Sequence, residues 1–472
     1  MGRADRRRFL KQGLVAAGGL GLGITAWSRL SQHGVHPGPH PALGPLLPAN
    51  DEATGLPLLK LPKGFRYRSF AWAGEMLGDG YPSPGSCDGM GVVNDQDGVV
   101  TLIRNHELRG SSGPIGDPRK AWDITGGGAS TLRFDTRTER MLDSRISLGG
   151  TVNNCAGGVT PWGTWLSCEE APVTPELMHL GGDSRQRLWH LKNAQKSHGY
   201  VFEVHPEGES EPRPIVEMGQ FYHEAVAIDP QTGVVYMTED AKPNAGLYRY
   251  LPKMPGQLQA GGQLQMLKVD GYRELTYAVP LNRPLAFDWV DIADPGLGHS
   301  PGTHDGAGVV AQGIAAGGTA FVSLEGCGFH EGSIYFTSKS GGGARSGQIF
   351  RLDIATGTLA LIFEAAREDH FTGPDNIIVS PRGSLMICED RLGVFTKGQY
   401  IAGLNGQNGL FAFCQTNPQL DGIHAGHDLR RTALGSEWAG VCFSADGQWM
   451  FANLYNPGIS FAITGPWQEG PV

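Results

Sequence analysis

No surplus of positive charge runs through this chain: 38 Lys and Arg stand against 47 Asp and Glu, a formal charge of −9. That excludes the basic face a general nucleic-acid binder needs, and no nucleic-acid partner is expected. Seven cysteines occur, but none forms a C-x-x-C pair, so neither a zinc site nor a redox dithiol is indicated. Most of them sit inside apolar runs, where a buried thiol acts as a small hydrophobe; Cys155 is the exception, set among polar residues. There is no G-x-S-x-G elbow, Walker loop or dinucleotide fingerprint, which removes the usual serine-hydrolase, NTPase and Rossmann readings. Helical periodicity is scarce after residue 60.

Glycine, by contrast, is abundant, with 71 residues, and its placement is regular. Six glycines, at 98, 163, 233, 332, 383 and 447, each open a short apolar run, and most of these runs end in acids or amides. In three of them a glutamate stands six residues after the glycine: Glu169, Glu239 and Glu389. A second apolar segment precedes each glycine, with turn chemistry such as Asp229-Pro230, Pro381-Arg382 and Asp446-Gly447 between the two. The unit reads as a β-hairpin recurring about every 70 residues. Alternating strands such as 198–205, 246–251 and 347–353 follow the hairpins. An all-β, six-bladed β-propeller with loop insertions is therefore expected, with a β-sandwich as the alternative. The longest insertion is expected between Gly233 and Gly332, around residues 254–265 and 286–303, and no second domain is read there.

Hairpin symmetry gathers the chemistry. About each turn, Glu224 mirrors Glu239, Cys155 mirrors Glu169 and Asp375 mirrors Glu389. Propeller geometry would bring all these ends to one mouth. The expected ring holds Asn105, Glu107, Asn154, Cys155, Glu169, Glu170, Glu224, Glu239, Asp240, Glu325, Asp375, Asn376, Glu389, Asp390 and Asn453. So many carboxylates repel one another unless multivalent cations bind them. Carboxylate and amide oxygens suit Ca²⁺, and a Cys155 thiolate suits a softer transition metal. His106 and His223 are secondary candidates as ligands or proton carriers. The glycine-rich runs at 126–128 and 338–343 could cradle an anion, though a plain loop reads better.

The N-terminus carries Arg6-Arg7-Arg8-Phe9-Leu10-Lys11 ahead of a short, Gly/Ala-rich apolar stretch from Gly13 to Trp27. This is the twin-arginine export pattern, so residues 1–45 are assigned to a signal segment and linker and 46–472 to one propeller domain. Export machinery as partner, a periplasmic or secreted location, a possible N-terminal membrane anchor and a monomeric state are the corresponding expectations.

Several stretches together resemble the PhoX-type alkaline phosphatases across nearly the whole chain after residue 60. They are RNHE (104–107), NNCAGGVTPWGTWLSCEE (153–170), FYHEAVAIDPQTGVVYMTED (221–240), EGCGFHEGSIYFTSKSGG (325–342), GPDNIIVSPRGSLMICED (373–390), and WAGVCFSADG through NPGISFAITGPW (438–467). The resemblance implies hydrolysis of phosphate monoesters at a site of two ferric irons and up to three calciums. It places Cys155 on iron and assigns Glu224, Glu325, Asp375 and Glu389 as carboxylate ligands of the catalytic centre. One departure stands out: Ser323 occupies the place of the arginine expected to bind phosphate. Arg104, Lys339 and Arg345 are the candidate replacements. A phosphodiesterase, a lactonase or a non-catalytic calcium-binding propeller are the competing readings of the same scaffold.

Overall fold

The computed structural model describes residues 37–472, apart from 111–112, 178–190, 192–193, 207–211, 366–370, 392–397, 407–408 and 430–434. The twin-arginine pattern lies outside the described residues. Among those described, no helix is long and apolar enough to cross a membrane.

Six antiparallel hairpins are the frame. They pair Cys87–Gln96 with Val99–His106, Asn154–Val159 with Trp165–Glu169, and His223–Ile228 with Val235–Glu239. The remaining three pair Leu324–His330 with Ser333–Ser338, Pro374–Val379 with Leu385–Glu389, and Trp438–Phe443 with Met450–Leu454. The recurring glycines are explained by their conformation. All six sit in turns at positive φ, from 67° at Gly447 to 87° at Gly383, where a Cβ would be strained. In the first and fourth hairpins the turn is two residues long, Asp97-Gly98 and Glu331-Gly332, both left-handed as a type I′ turn requires.

The first strands of the hairpins lie side by side around an axis, each next to the following one and the last next to the first. Small residues permit this approach: a Cβ on Gly326 would lie 2.6 Å from Asp375 O, and one on Gly440 would lie 2.7 Å from Met90 N. Between successive hairpins the outer faces share hydrophobic cores. Ile103 packs with Trp165, Leu166 with Met237, Tyr236 with Phe336, Ile349 with Ile387, and Met386 with Met450. Leu102 and Phe451 then join the first sheet to the last. Arg66–Phe70 pairs with Ile459–Thr464, so a strand from before the first hairpin completes the last sheet and ties the two ends of the ring. The expected all-β propeller is thus the fold found.

The long stretch between Gly233 and Gly332 combines strands with connections: Gly262–Val269 is the fourth strand of its sheet, and Leu285–Asp291 bridges it to Thr358–Glu364, giving one nine-stranded sheet, while 253–261 and 292–307 are connections. The α-helix Gly308–Ala315 packs against this sheet. Gly38–Pro39 lies alongside Phe411 and Ala412, and Leu43 is buried in the core.

Candidate active site

Each hairpin carries an irregularity at the end away from its turn. Just after the last pair at that end in the first five hairpins, two residues of the first strand oppose one of the second. The sixth hairpin has the same bulge one residue later. A bulge re-aims the inserted side chain and shifts every pairing beyond it by one. The mirror pairs expected from the turns are therefore off by one. Glu239 opposes His223, Glu169 opposes Asn154 and Glu389 opposes Pro374.

With the bulges counted, the hairpins superpose on a common pattern. The residue after the opposed pair, on each strand, turns to the axis: Asp88 and Glu107, Cys155 and Glu170, Glu224 and Asp240, Glu325 and Lys339, Asp375 and Asp390. In the sixth hairpin the corresponding residues are Ala439 and Tyr455. All of them line one cavity of about 390 Å³, which Arg109, Glu437 and Trp438 complete. One backbone bond recurs in every hairpin and fixes the second residue of each pair. Glu107 N donates to Ser86 O (3.0 Å), Glu170 N to Asn153 O (3.0 Å), Asp240 N to Tyr222 O (3.1 Å), Lys339 N to Ser323 O (2.8 Å), Asp390 N to Gly373 O (2.9 Å) and Tyr455 N to Glu437 O (3.2 Å).

In four of the hairpins the first residue of the pair is held from the neighbouring hairpin. Asn105 Nδ2 donates to Cys155 O (3.1 Å), Thr238 Oγ1 to Glu325 O (2.5 Å), Thr337 Oγ1 to Asp375 O (2.8 Å) and Asn453 Nδ2 to Asp88 O (2.6 Å). Asn105, Asn376 and Asn453 therefore lace the ring together, and Asn154 bonds Thr151 and Ser167 within its own sheet.

Glu169, Glu239 and Glu389, the most regular acids in the sequence, do not line the cavity. They end their strands facing the backbone that enters the third strand of the sheet. Glu169 accepts from Gly199 N (2.8 Å) and Tyr200 N (3.1 Å), Glu239 from Gly246 N (2.8 Å), and Glu389 from Tyr400 N (3.0 Å). Burial raises Glu239 to about 8 and Glu389 to about 7. Glu169 also binds the fully buried His198 (2.7 Å), whose other nitrogen meets Asp123 at 3.1 Å.

The histidine and arginine candidates are likewise structural. His106 is wedged between Gly85 O and Ser130, and His223 bonds Gly219 O with burial lowering it to about 3. Arg104 is wholly buried on Ala71 O, Ser83 and Ser460, and Arg345 lies over the Tyr277 ring. Neither lines the cavity, whereas Lys339 does. The amide of Gly343 is taken by Glu364, so the glycine run 338–343 delivers Lys339 rather than an anion cradle. The run at 126–128 is part of strand Thr125–Asp135.

Sequence reasoning missed Asp88, Arg109 and Glu437. Asp88 had a signal: like Cys155, Glu224 and Glu325 it precedes a glycine or alanine, the small residue that the bulge sets against the adjacent strand. Arg109 and Glu437 come from connections outside the hairpins and repeat nothing. Ser323 shares its conformation with its counterparts in other hairpins. It has φ 43°, and the equivalent Ser86, Asn153 and Gly373 are left-handed too, at 46°, 46° and 61°. The Ser323 hydroxyl accepts a bond from Ser340 (3.0 Å).

The electrostatics are lopsided. Nine carboxylates line the cavity against two cations, Lys339 and Arg109. Burial, then mutual repulsion, pushes Asp88, Glu170, Glu224, Glu325 and Glu437 well above the usual carboxylate range. Lys339 approaches Asp375 (3.0 Å) and Glu325 (3.6 Å) and pairs with Asp390, holding the latter low despite its burial. Arg109 stands 58% exposed at the edge and bonds Glu107 at 2.5 Å. Oxygens of Glu325 and Asp240 are buried without a hydrogen-bond partner.

This arrangement fits bound cations. Among the described residues, three groups bring one ligand atom each within 4.8 Å of the others: Asp88, Glu107 and Glu437; Glu224, Glu325 and Asp375; and Asp375, Asp390 and Glu437. Cys155 lies in the same wall but outside these groups. Its thiol points to His223 O (3.1 Å), and burial followed by the nearby Glu224 raises its pKa.

A family model described as alkaline phosphatase PhoX matches residues 42–122 and 118–458. No match was found among curated proteins. Among solved structures, the chain is similar to Pseudomonas fluorescens PhoX in complex with vanadate, described as a transition state analogue. The two share 16% identity at a TM-score of 0.60, over 90% of this chain and 98% of that one. A gluconolactonase from Xanthomonas campestris is 12% identical at a TM-score of 0.43, over 90% of this chain and 98% of that one.

Proposed function

Because the chain belongs to the PhoX alkaline phosphatase family, a family of phosphatases, we propose that it hydrolyses phosphate monoesters at a multinuclear iron and calcium centre in its axial cavity. The observation that carries this reading is the excess of buried carboxylate. Eight acids from five of the hairpins and Glu437 from the connection before the sixth converge on 390 Å³, and two side-chain cations do not balance them. Glu224, Glu325 and Asp375 form the group beside Cys155 and would take iron with the thiolate, a softer ligand than the surrounding oxygens. Asp88, Glu107, Glu437 and Asp390 would take calcium, with Glu170 and Asp240 between the two sets. Metals bound there supply positive charge to phosphoryl oxygens.

The chain's own residues do the rest. Lys339 ties Glu325, Asp375 and Asp390 into one fixed arrangement and brings an ammonium to the wall. Arg109, steadied by Glu107, adds a guanidinium at the edge. These two replace the arginine expected where Ser323 stands, Lys339 from the strand immediately beside it. The hydrogen bonds from Asn105, Thr238, Thr337 and Asn453 keep the ligand backbone from shifting as charge changes hands. Glu389, assigned to the centre by resemblance, is better placed as the tether of its sheet.

Six blades, one per hairpin, is the corresponding architecture. Export through the twin-arginine machinery to the periplasm or outside, as a monomer, with the 13–27 stretch cleaved or kept as an anchor, follows from the N-terminal pattern. Twin-arginine export carries folded proteins, so metals can be loaded first. A phosphodiesterase or lactonase is the second reading, and Ser323 is what favours it.

Elemental analysis together with hydrolysis of 4-nitrophenyl phosphate and its bis-ester tests the assignment. Iron and calcium with turnover of the monoester are expected, and Cys155→Ala is expected to lose iron and activity together. Metal with turnover of the diester alone would favour the second reading. No tightly bound metal would overturn the assignment.

A further inference from the structure

Beside the acidic cavity lies a second one, of about 380 Å³, and Asp240 lines both. It is bounded on one side by the chain leaving the third hairpin, Ala241 to Asn244, and on the other by the helix Gly308–Ala315. The two walls differ in character. The helix contributes Val310, Ala311, Ile314 and Ala315, all apolar, while Lys242, Asn244 and Asp305 form a polar rim. Asp240 has an oxygen buried without a hydrogen-bond partner at the junction.

The helix wall is firm. Val309 and Val310 are buried in the core between the second and third sheets, and Gly313 lets the helix seat against Met266, where a Cβ would come within 2.2 Å of the sulfur. Alanine at 311 and 315 leaves the space open where larger residues would fill it. The pocket has the volume of a small-molecule site, several hundred Å³, with one apolar wall facing a polar rim.

We propose that this pocket receives the alcohol part of the substrate, so that the enzyme favours phosphate monoesters of alcohols with a broad apolar face, such as aryl esters. The inference rests on the phosphatase reading. With the phosphoryl group among the carboxylates and Lys339, the ester substituent passes Asp240 and lies on the Ala311–Ile314 face. An alkyl group too short to reach the helix gains nothing from it.

Two probes separate the cases: 2-naphthyl phosphate, which carries a broad apolar face, and methyl phosphate, which carries none. Ala311 and Ile314 are solvent-exposed, so changes there leave the fold intact. Ala311→Trp, which fills the pocket, is expected to lower kcat/KM for 2-naphthyl phosphate about tenfold, through KM, and to leave methyl phosphate within about twofold. Ile314→Ser is expected to act in the same direction by a smaller factor. Equal losses on both esters, or no loss on either, would overturn the proposal. Should the wild type turn over neither ester, the phosphatase reading fails separately. Fluorescence titration with 2-naphthol then decides the pocket: weakening by Ala311→Trp supports it, and unchanged or absent binding overturns it.

Discussion

Glu169 ends a strand, Glu170 follows it, and the two belong to different parts of the molecule. So do Glu239 and Asp240, and Glu389 and Asp390. The first of each pair is sealed behind the sheet, its carboxylate holding backbone N–H groups of the third strand. The second stands in the cavity wall among like charges. Strand alternation alone sends neighbours to opposite faces. The difference in role comes from what meets each face: on one side hydrogen-bond donors fixed by the fold, on the other an axis crowded with acids. Regular spacing from the turn glycine thus marks scaffold, because the end of the second strand is where the third must be received.

Substitutions along the two rows sharpen this contrast. Glu169→Gln should have the largest effect on stability, about 3–5 kcal/mol, since it leaves buried N–H groups and the buried His198 without their carboxylate. Metal content and activity of the folded fraction should stay near wild type. His198 is held up to about 9 by Glu169 and Asp123 against the effect of burial. Its contribution is present in full below the unfolded value near 6.5 and is lost as pH rises through about 9. Denaturation midpoints should therefore fall between pH 6.5 and 9 in the wild type, and by less in Glu169→Gln. Full stability with lost activity would break the comparison.

Asp375→Asn should do the reverse. It takes one charge out of two candidate metal groups, and a loss of about 10²–10³ in kcat is expected, on the scale of removing one transition-state stabiliser. The metal-stripped variant should be no less stable than the metal-stripped wild type, because a repelled carboxylate has gone. Parallel denaturation curves with and without chelator report it. Tyr455→Phe is the mildest case. Its hydroxyl reaches Glu107 O at 3.3 Å from the hairpin that brings no acid at the repeat position, so about 0.5–1.5 kcal/mol and little change in rate are expected.

Much of this was legible in the chain. The turn glycines, the paired apolar runs and the order of the hairpins were read correctly, because positive φ and hydrophobic alternation leave direct marks on residue choice. Glu224, Glu325, Asp375, Cys155 and Glu107 were also found, and all line the cavity. Symmetry about each turn failed by one residue, and that residue decided which acid faces the axis. The extra residue is not visible in composition: Glu224-Ala225 in a bulge reads like Glu-Ala in any strand. Arg109 and Glu437 were hidden for a different reason, since they belong to connections that repeat nothing.

The sequence by itself determined that hairpins would recur, where each would turn, and that acids would collect at one end of each. Those are local demands, met by a glycine, an alternation or a charge within a few residues. Only the tertiary structure decided which of two adjacent acids serves the fold and which the cavity. That choice follows from the bulges, and the bulges sit where neighbouring first strands close around the axis, at contacts such as Gly326 on Asp375 and Gly440 on Met90, between residues roughly 50 to 350 positions apart in sequence.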